Sequence, residues 1–379
     1  MVLLGSLLMA CCQSERFVKM KNKVIISHDG RIEVNYDKVT HVCIAPNLYP
    51  LLQYLLLMND DIVFHHTCFF VNEVIPENVR TQLPCVYYPC FGGSMGQKLS
   101  RRLLKLKLRC FKYLMFPFLK TADLFAYDVP FFCLLIGRRD YSLLADAPNW
   151  LSNHVQDDSK EYQRVQQFAN SFIGNLLRIF FGDVFVHYYG NNKQCKTIYL
   201  TEENESPIME GKEVYVQSLS TLWEKASDEK RQFVLGLFGI IKQDIAFLNS
   251  RPNMFFSQPL MSDCNLTETE YKELLAKIFN NYPPQSIIVK PHPRDSFDYA
   301  NNFPDVIVFT KSVSSQLLHM MGVRPNKVIT ITSTAIEGFP ESIECDFYGI
   351  HVHSKVEEFF GNELRPKRKV NYGQLNIMN

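Results

Sequence analysis

Short apolar runs, each followed by a segment of helical pattern, recur along this chain, and that alternation restricts its fold more than any other feature. EVYVQSL leads to a helix near 222–248 and NMFFSQPL to one near 267–280. SIIVKPHP leads through a loop to DVIVF, and SSQLLHMMG is helical ahead of KVITITSTA. Strands alternating with helices build parallel sheets covered on both faces. The N-terminal part repeats the pattern. THVCIAPNLYPLLQYLLL, opening at Thr40, reads as a strand, a Pro-Asn loop and a leucine-rich helix. DDIVFHH and CFFVNEV read as further strands, and 122–150 as short buried strands between polar turns. Helical segments cover 159–180, and GDVFVHYYG and KTIYLTEEN follow. The polar stretch 202–212, EENESPIMEGK, is the expected interdomain linker. A chain of 379 residues exceeds what one core usually holds. The expectation is an α/β protein of two Rossmann-like domains, 40–205 and 212–355, with parallel sheets facing a central cleft. Residues 1–39 form an extension of unassigned role and 356–379 a tail.

Composition narrows the function. An apolar fraction of 46% and a charged fraction of 21% are ordinary globular values. A formal net charge of +1 gives no field that would gather nucleic acid. Eleven cysteines without a CxxC read as reduced, buried small hydrophobes of a cytoplasmic protein rather than a disulfide framework. Leu8-Met9-Ala10-Cys11 is similar to a lipoprotein cleavage box, but a basic n-region is missing and the apolar run is too short to span a bilayer. An upstream extension or a buried first element is expected instead. Two basic segments stand out. In 96–116 the cations Arg101, Arg102, Lys105, Lys107, Arg109 and Lys112 alternate with Leu and Phe, and RPKRK occupies 365–369. In the first segment either the stems cover a core edge or the cations rest on an anionic membrane, and RPKRK is expected on the same membrane or as a solvated face.

Three constellations carry chemistry. In IIVKPHPRD, a buried strand runs into Lys290-Pro291-His292-Pro293-Arg294. Parallel strands deliver functional groups at their carboxyl ends, and two prolines stiffen the loop around the imidazole. Two cations beside it suit an anionic leaving group, with His292 as proton donor. In VITITSTAIEGFP, Thr332, Ser333 and Thr334 precede an expected helix near Ala335, where hydroxyls and free N–H groups hold phosphate. In LLADAPNW, Asp146 is either a carboxylate at the cleft edge or an Asx turn before proline. FGGSMGQK lacks the Walker spacing. His65-His66 and His351-Val352-His353 lack companions at ligand spacing, so no metal site is expected.

KPHPR followed by a spaced STA resembles the bacterial sialyltransferases, and most nearly the lipooligosaccharide sialyltransferase family, glycosyltransferase family 52. MFFSQPLMSD is similar to that family's strand and loop leading to the donor site, and THVCIAPNLYPLLQYLL to its opening strand and helix. The resemblance covers roughly 40–355. It implies a GT-B fold, an acceptor-side N-terminal domain and a C-terminal domain that binds CMP-sialic acid. His292 would be the general acid at the departing CMP phosphate and Asp146 the base, with Asp128 and Asp140 the next acids to test. Lys290, Pro293 and Arg294 would line the nucleotide together with Ser257, Gln258 and Gln316, and Ser333 and Thr334 would hold the phosphate. Two departures are visible. The acidic motif reads Ala145-Asp146-Ala147, and Gln316 stands where relatives often place a ribose-binding glutamate. The implied reaction is metal-independent, cofactor-free and inverting, from CMP-sialic acid to a galactose-terminated glycan of lipooligosaccharide or capsule. Peripheral contact with an anionic inner membrane and a homodimer complete the expected partners, and nucleic acid is not among them. The alternatives are another CMP-sugar, a nucleoside-diphosphate hexose, or a non-catalytic nucleotide- or glycan-binding relative.

Overall fold

The computed structural model describes residues 24–25, 33–34, 36–87, 108, 111–128, 133–147, 163, 167–311, 313–361, 366 and 368–373. The chain divides into two compact units, Met1–Val234 and Leu235–Asn379. In the first, β1 (Val24–Ile25) pairs antiparallel with β2 (Glu33–Val34). A seven-stranded sheet follows, built from β3 (His41–Ala45), β4 (Thr67–Val71), β5 (Cys85–Tyr87), β6 (Asp123–Ala126), β7 (Tyr141–Leu144), β8 (Cys195–Leu200) and β9 (Glu213–Val216). All its pairs are parallel, in the order β5-β4-β3-β6-β7-β8-β9. The second unit repeats the design with β10 (Asn253–Phe256), β11 (Ile287–Lys290), β12 (Ile307–Val308), β13 (Lys327–Thr330), β14 (Glu344–Phe347) and β15 (Asn371–Tyr372). Its order is β12-β11-β10-β13-β14-β15, again all parallel. Both sheets are doubly wound. Strand order reverses once in each, between β3 and β6 and between β10 and β13, and such switch points are where open α/β sheets bind ligands.

The central strands β4, β10 and β11 are buried along their whole length, as strands covered on both faces must be. Helix α1 (Leu48–Leu57) follows β3 and starts at Asn47, whose side chain caps it by accepting Tyr49 N–H at 2.9 Å. Helix α2 (Phe172–Phe181) is capped by Ser171 and leaves Phe172, Ile173, Leu176, Ile179 and Phe180 exposed. Helix α3 (Glu268–Phe279) opens with a reciprocal Thr267–Glu270 capping box. It turns Tyr271, Leu274, Leu275 and Ile278 into the core at helical spacing. Helix α4 (Ser315–Met320) is capped by Ser314.

Several expectations need correction. DDIVFHH is not a strand. Ile62–His66 coils into a helical turn ahead of β4. Within 122–150, Cys133–Ile136 is a buried helical turn, because a short apolar run reads alike as strand or buried helix. The helix near 222–248 is three helices, Leu219–Lys225, Asp228–Leu237 and Lys242–Leu248. The 202–212 segment lies within the first unit, since β9 beyond it pairs with β8 from Thr197↔Glu213 to Leu200↔Val216. A polar crossover between neighbouring strands has the same composition as a linker.

Two cations of the basic segments are interior. Lys112 is buried and donates to the carbonyls of Leu134 and Leu135 at 3.0 and 2.9 Å. Arg368 is buried and donates to the carbonyls of Ile336, Phe339, Pro340 and Ile343. Arg101, Arg102, Lys105, Lys107, Arg109, Arg365 and Lys367 lie outside the described residues, as do FGGSMGQK and most of residues 1–39. The seven described cysteines are all buried and free of disulfides. Among the described residues, no helix is long and apolar enough to cross a membrane.

Candidate active site

The KPHPR loop leaves β11 as its sequence suggests, and its neighbours hold it in place. Ser257, the residue after β10, extends the ladder by donating its N–H to the Lys290 carbonyl at 3.2 Å. Its hydroxyl then accepts His292 N–H at 3.0 Å and donates to the Asp295 carboxylate. Asp295 also accepts Tyr299 OH at 2.7 Å and Phe297 N–H at 3.1 Å. Tyr299 OH meets Tyr271 OH at 2.9 Å, which ties the loop to α3. On the imidazole itself, Nδ1 accepts Arg294 N–H at 3.1 Å. Both the His292 main chain and one ring nitrogen are thereby fixed.

Charge in the loop is less free than the sequence suggests. The Arg294 guanidinium makes a bidentate pair with Asp263, at 2.8 and 2.9 Å, and Pro293 is exposed beside it. Lys290 is buried, its Nζ donating to the Pro291 carbonyl at 3.1 Å, and burial lowers its pKa to about 8. Burial, then the Arg294 and Lys290 cations, lower the His292 pKa to about 4 against the opposing Asp263 carboxylate. The imidazole is neutral at pH 7. Burial raises the Asp295 carboxyl, although the hydrogen bonds from Ser257, Tyr299 and Phe297 N–H work the other way.

The switch point of the same sheet brings the STA residues alongside. Thr332 donates to Gln258 Oε1 across it. Thr330 Oγ1 donates to the Phe256 carbonyl at 3.1 Å and accepts Ser333 N–H at 3.0 Å. The helix expected near Ala335 is a single 3-10 turn, Thr334–Gly338, with Ser333 as its cap accepting Ala335 N–H at 3.2 Å. Thr334 is exposed. A Cβ on Gly338 would lie 2.4 Å from Ser315 Oγ and 2.7 Å from Gln316 N, so only glycine lets this turn sit on the start of α4. That contact places Gln316 next to the loop. Its Oε1 accepts Ser315 Oγ–H at 3.3 Å.

Asp146 belongs to the other unit and follows β7. Asn47 Nδ2 donates to its Oδ1. Because Asn47 Oδ1 already accepts Tyr49 N–H, the cap fixes which end of the amide faces the carboxylate. Tyr127, just past β6, also hydrogen-bonds Asp146. Gln53 of α1 receives Ala145 N–H at 2.8 Å and donates to the Tyr199 carbonyl at 3.0 Å. Asp146 is thus a half-buried carboxylate among the carboxyl ends of β3, β6 and β7, beside that sheet's switch point. The reserve acids are placed differently. Asp128 is fully buried, and Asp140 is an exposed residue before β7, at the opposite end of that strand.

Sequence reasoning missed Asn47, Tyr127, Asp263 and Asp295. Asn47 carried a signal, an asparagine between a buried strand and a leucine-rich helix. The other three acquire their roles only through distant partners. Among the described residues, no group of three or more His, Cys, Asp or Glu side chains is arranged to hold a metal ion.

The sequence profile of glycosyltransferase family 52 matches residues 153–356, more than half of the 379-residue chain. An uncharacterized protein of Haemophilus influenzae is 38% identical over 209 residues, which is 55% of this chain and 65% of that protein. The chain therefore spans just under two thirds of that curated relative. A 2,6-sialyltransferase of Photobacterium sp. JT-ISH-224, solved with donor product CMP and acceptor substrate lactose, superposes with a TM-score of 0.51 at 12% identity. That superposition covers 81% of this chain and 71% of the other. An α/β-galactoside α-2,3-sialyltransferase of Photobacterium phosphoreum gives 0.49 at 11% identity over 89% of this chain and 99% of the other. The fold, two doubly wound parallel sheets, is GT-B.

Proposed function

From the premise that this chain belongs to glycosyltransferase family 52, we propose that it transfers sialic acid from CMP-sialic acid to a terminal galactose of a surface glycan, lipooligosaccharide or capsule, with inversion. The observation that carries this reading is the clamped KPHPR loop beside the STA turn, at the switch point of one parallel sheet. A nucleotide phosphate at that point would meet the His292 ring, Lys290, the Ser333 and Thr334 hydroxyls and the Gln258 and Gln316 amides. In the first unit, Asp146 takes the proton of the acceptor hydroxyl, held for that task by Asn47 and Tyr127. The CMP and lactose in the Photobacterium 2,6-sialyltransferase support a CMP donor and a galactose-ended acceptor.

We further read the reaction as metal-independent and the enzyme as cytoplasmic and peripheral at the inner membrane. The leaving group supports the first point. A phosphate monoester with a second pKa near 6 departs readily as a dianion. Thermal shift with CMP, CMP-sialic acid, UDP and GDP tests the donor class. A nucleotide at 100 times its dissociation constant adds roughly 2.7 kcal/mol of stability. CMP and CMP-sialic acid should raise the melting temperature and UDP and GDP should not. Stabilisation by UDP or GDP equal to that by CMP would overturn the CMP reading in favour of a nucleoside-diphosphate hexose, to which Gln316 and the Ala145-Asp146-Ala147 motif would then belong.

A further inference from the structure

The KPHPR loop determines where the proton of His292 sits. The Arg294 main-chain N–H is a permanent donor, and it points at Nδ1 from 3.1 Å. Nδ1 is therefore the accepting, unprotonated nitrogen, and the neutral ring carries its proton on Nε2. A second proton on Nδ1 would set donor against donor and break that bond. The charges around the ring disfavour it as well. Lys290 and Arg294 are cations, and the Asp263 carboxylate that would favour an imidazolium is already paired with Arg294. The remaining nearby acid, Asp295, faces the Ser257 and Tyr299 hydroxyls.

Asp295 governs this arrangement from one step away. By accepting the Ser257 proton, it leaves a Ser257 lone pair to receive His292 N–H at 3.0 Å. Rotation of that hydroxyl would free the loop between its two prolines.

We propose that Asp295, acting through Ser257, and the Arg294 amide hold His292 as the neutral Nε2–H tautomer, and that this N–H donates a hydrogen bond to the departing phosphate instead of surrendering a proton to it. The second half rests on the transferase reading, and the tautomer does not. The bond from the anomeric carbon to the phosphate oxygen breaks with its electron pair going to that oxygen. The acceptor oxygen forms the new bond and its proton passes to Asp146. His292 ends as it began, so Asp295 and Ser257 are positioning residues and the phosphate leaves as a dianion.

Nitrogen-15 NMR of histidine-labelled protein, with the His292 signals identified by their loss in H292Q, reads the tautomer without any substrate. The expected spectrum has Nδ1 unprotonated and Nε2 protonated throughout pH 6–8, and Ser257→Ala or Asp295→Asn should give mixed tautomers. An Nδ1–H tautomer, an imidazolium at pH 7, or an unchanged spectrum in both variants would overturn the clamp. Kinetics test the role. His292→Gln keeps an N–H near the Nε2 position and never becomes a cation. It should retain turnover within about tenfold of wild type, while His292→Ala loses roughly 10²–10³-fold, the usual worth of one donor aimed at developing charge. Equal loss in both would overturn hydrogen-bond donation. Absence of turnover by wild-type protein with every CMP-sugar would instead sink the transferase reading, and the tautomer would be judged by the spectrum alone.

Discussion

Asp128 and Asp146 follow neighbouring strands of the first unit and have opposite environments. Asp128 is fully buried. Its Oδ2 accepts Tyr141 OH at 2.6 Å, Gly190 N–H at 3.0 Å and Asn192 Nδ2–H at 3.1 Å, while Oδ1 has no partner among the described residues. Burial raises its pKa to about 7, and those three donors oppose the shift. A folded-state pKa above the unfolded one means that the folded protein binds the extra proton. Stability is then fully present below the unfolded value near 4 and is lost as pH rises to about 7. Each pH unit of that interval is worth about 1.4 kcal/mol, so the loss reaches a few kcal/mol. Asp128→Asn cannot ionise, and its melting temperature should fall less than that of wild type between pH 5 and pH 8. Parallel melting curves for the two proteins across that range would contradict the buried-acid account. Asp146, half-buried and held by an amide and a phenol, is the proposed base. Asp146→Ala should lower turnover roughly 10²–10⁴-fold while leaving stabilisation by CMP unchanged. Near-wild-type turnover would remove it as the base, and neither buried Asp128 nor Asp140 at the far end of β7 would replace it.

At the scale of elements, α2 is the part of the described surface that a self-sufficient domain explains least. Five of its ten residues are large, apolar and exposed, Phe172 at 78% and Phe180 at 68%. On the peripheral-membrane reading proposed above, this face would enter the headgroup region of a bilayer, where each nearby cation adds on the order of 1 kcal/mol on an anionic surface. The protein should sediment with anionic vesicles at low salt, and release should follow rising salt or the double change Phe172→Ser and Phe180→Ser. No sedimentation at low salt would contradict peripheral membrane contact. Elements were legible in the sequence where local chemistry defines them. Helix α3 has a capping box and a regular apolar stripe, and β11 ends in a loop that its own prolines stiffen. The Asn47–Asp146 and Ser257–Asp295 bonds were not, because their partners lie 99 and 38 residues apart in the chain. Lys112 misled for a related reason. Nothing local distinguishes a lysine on a surface from one whose Nζ reaches the carbonyls closing a buried turn.

For the whole molecule, the same wiring appears twice, and each unit gathers its candidate groups at the carboxyl ends around its own switch point. The alternation of strands and helices made that architecture readable. The boundary between units was not, since β9 joins the first sheet through backbone pairing that no composition records. The proposed donor site belongs to the second unit and the proposed base to the first. The most direct test of the account is therefore a complete transfer reaction in EDTA, with CMP-sialic acid as donor and lactose as acceptor, followed by NMR of the sugar product and release of CMP. The account predicts stoichiometric CMP and a sialylated galactose of inverted anomeric configuration, with no added metal. Retained configuration, dependence on a divalent cation, or transfer only from a nucleoside-diphosphate sugar would contradict it.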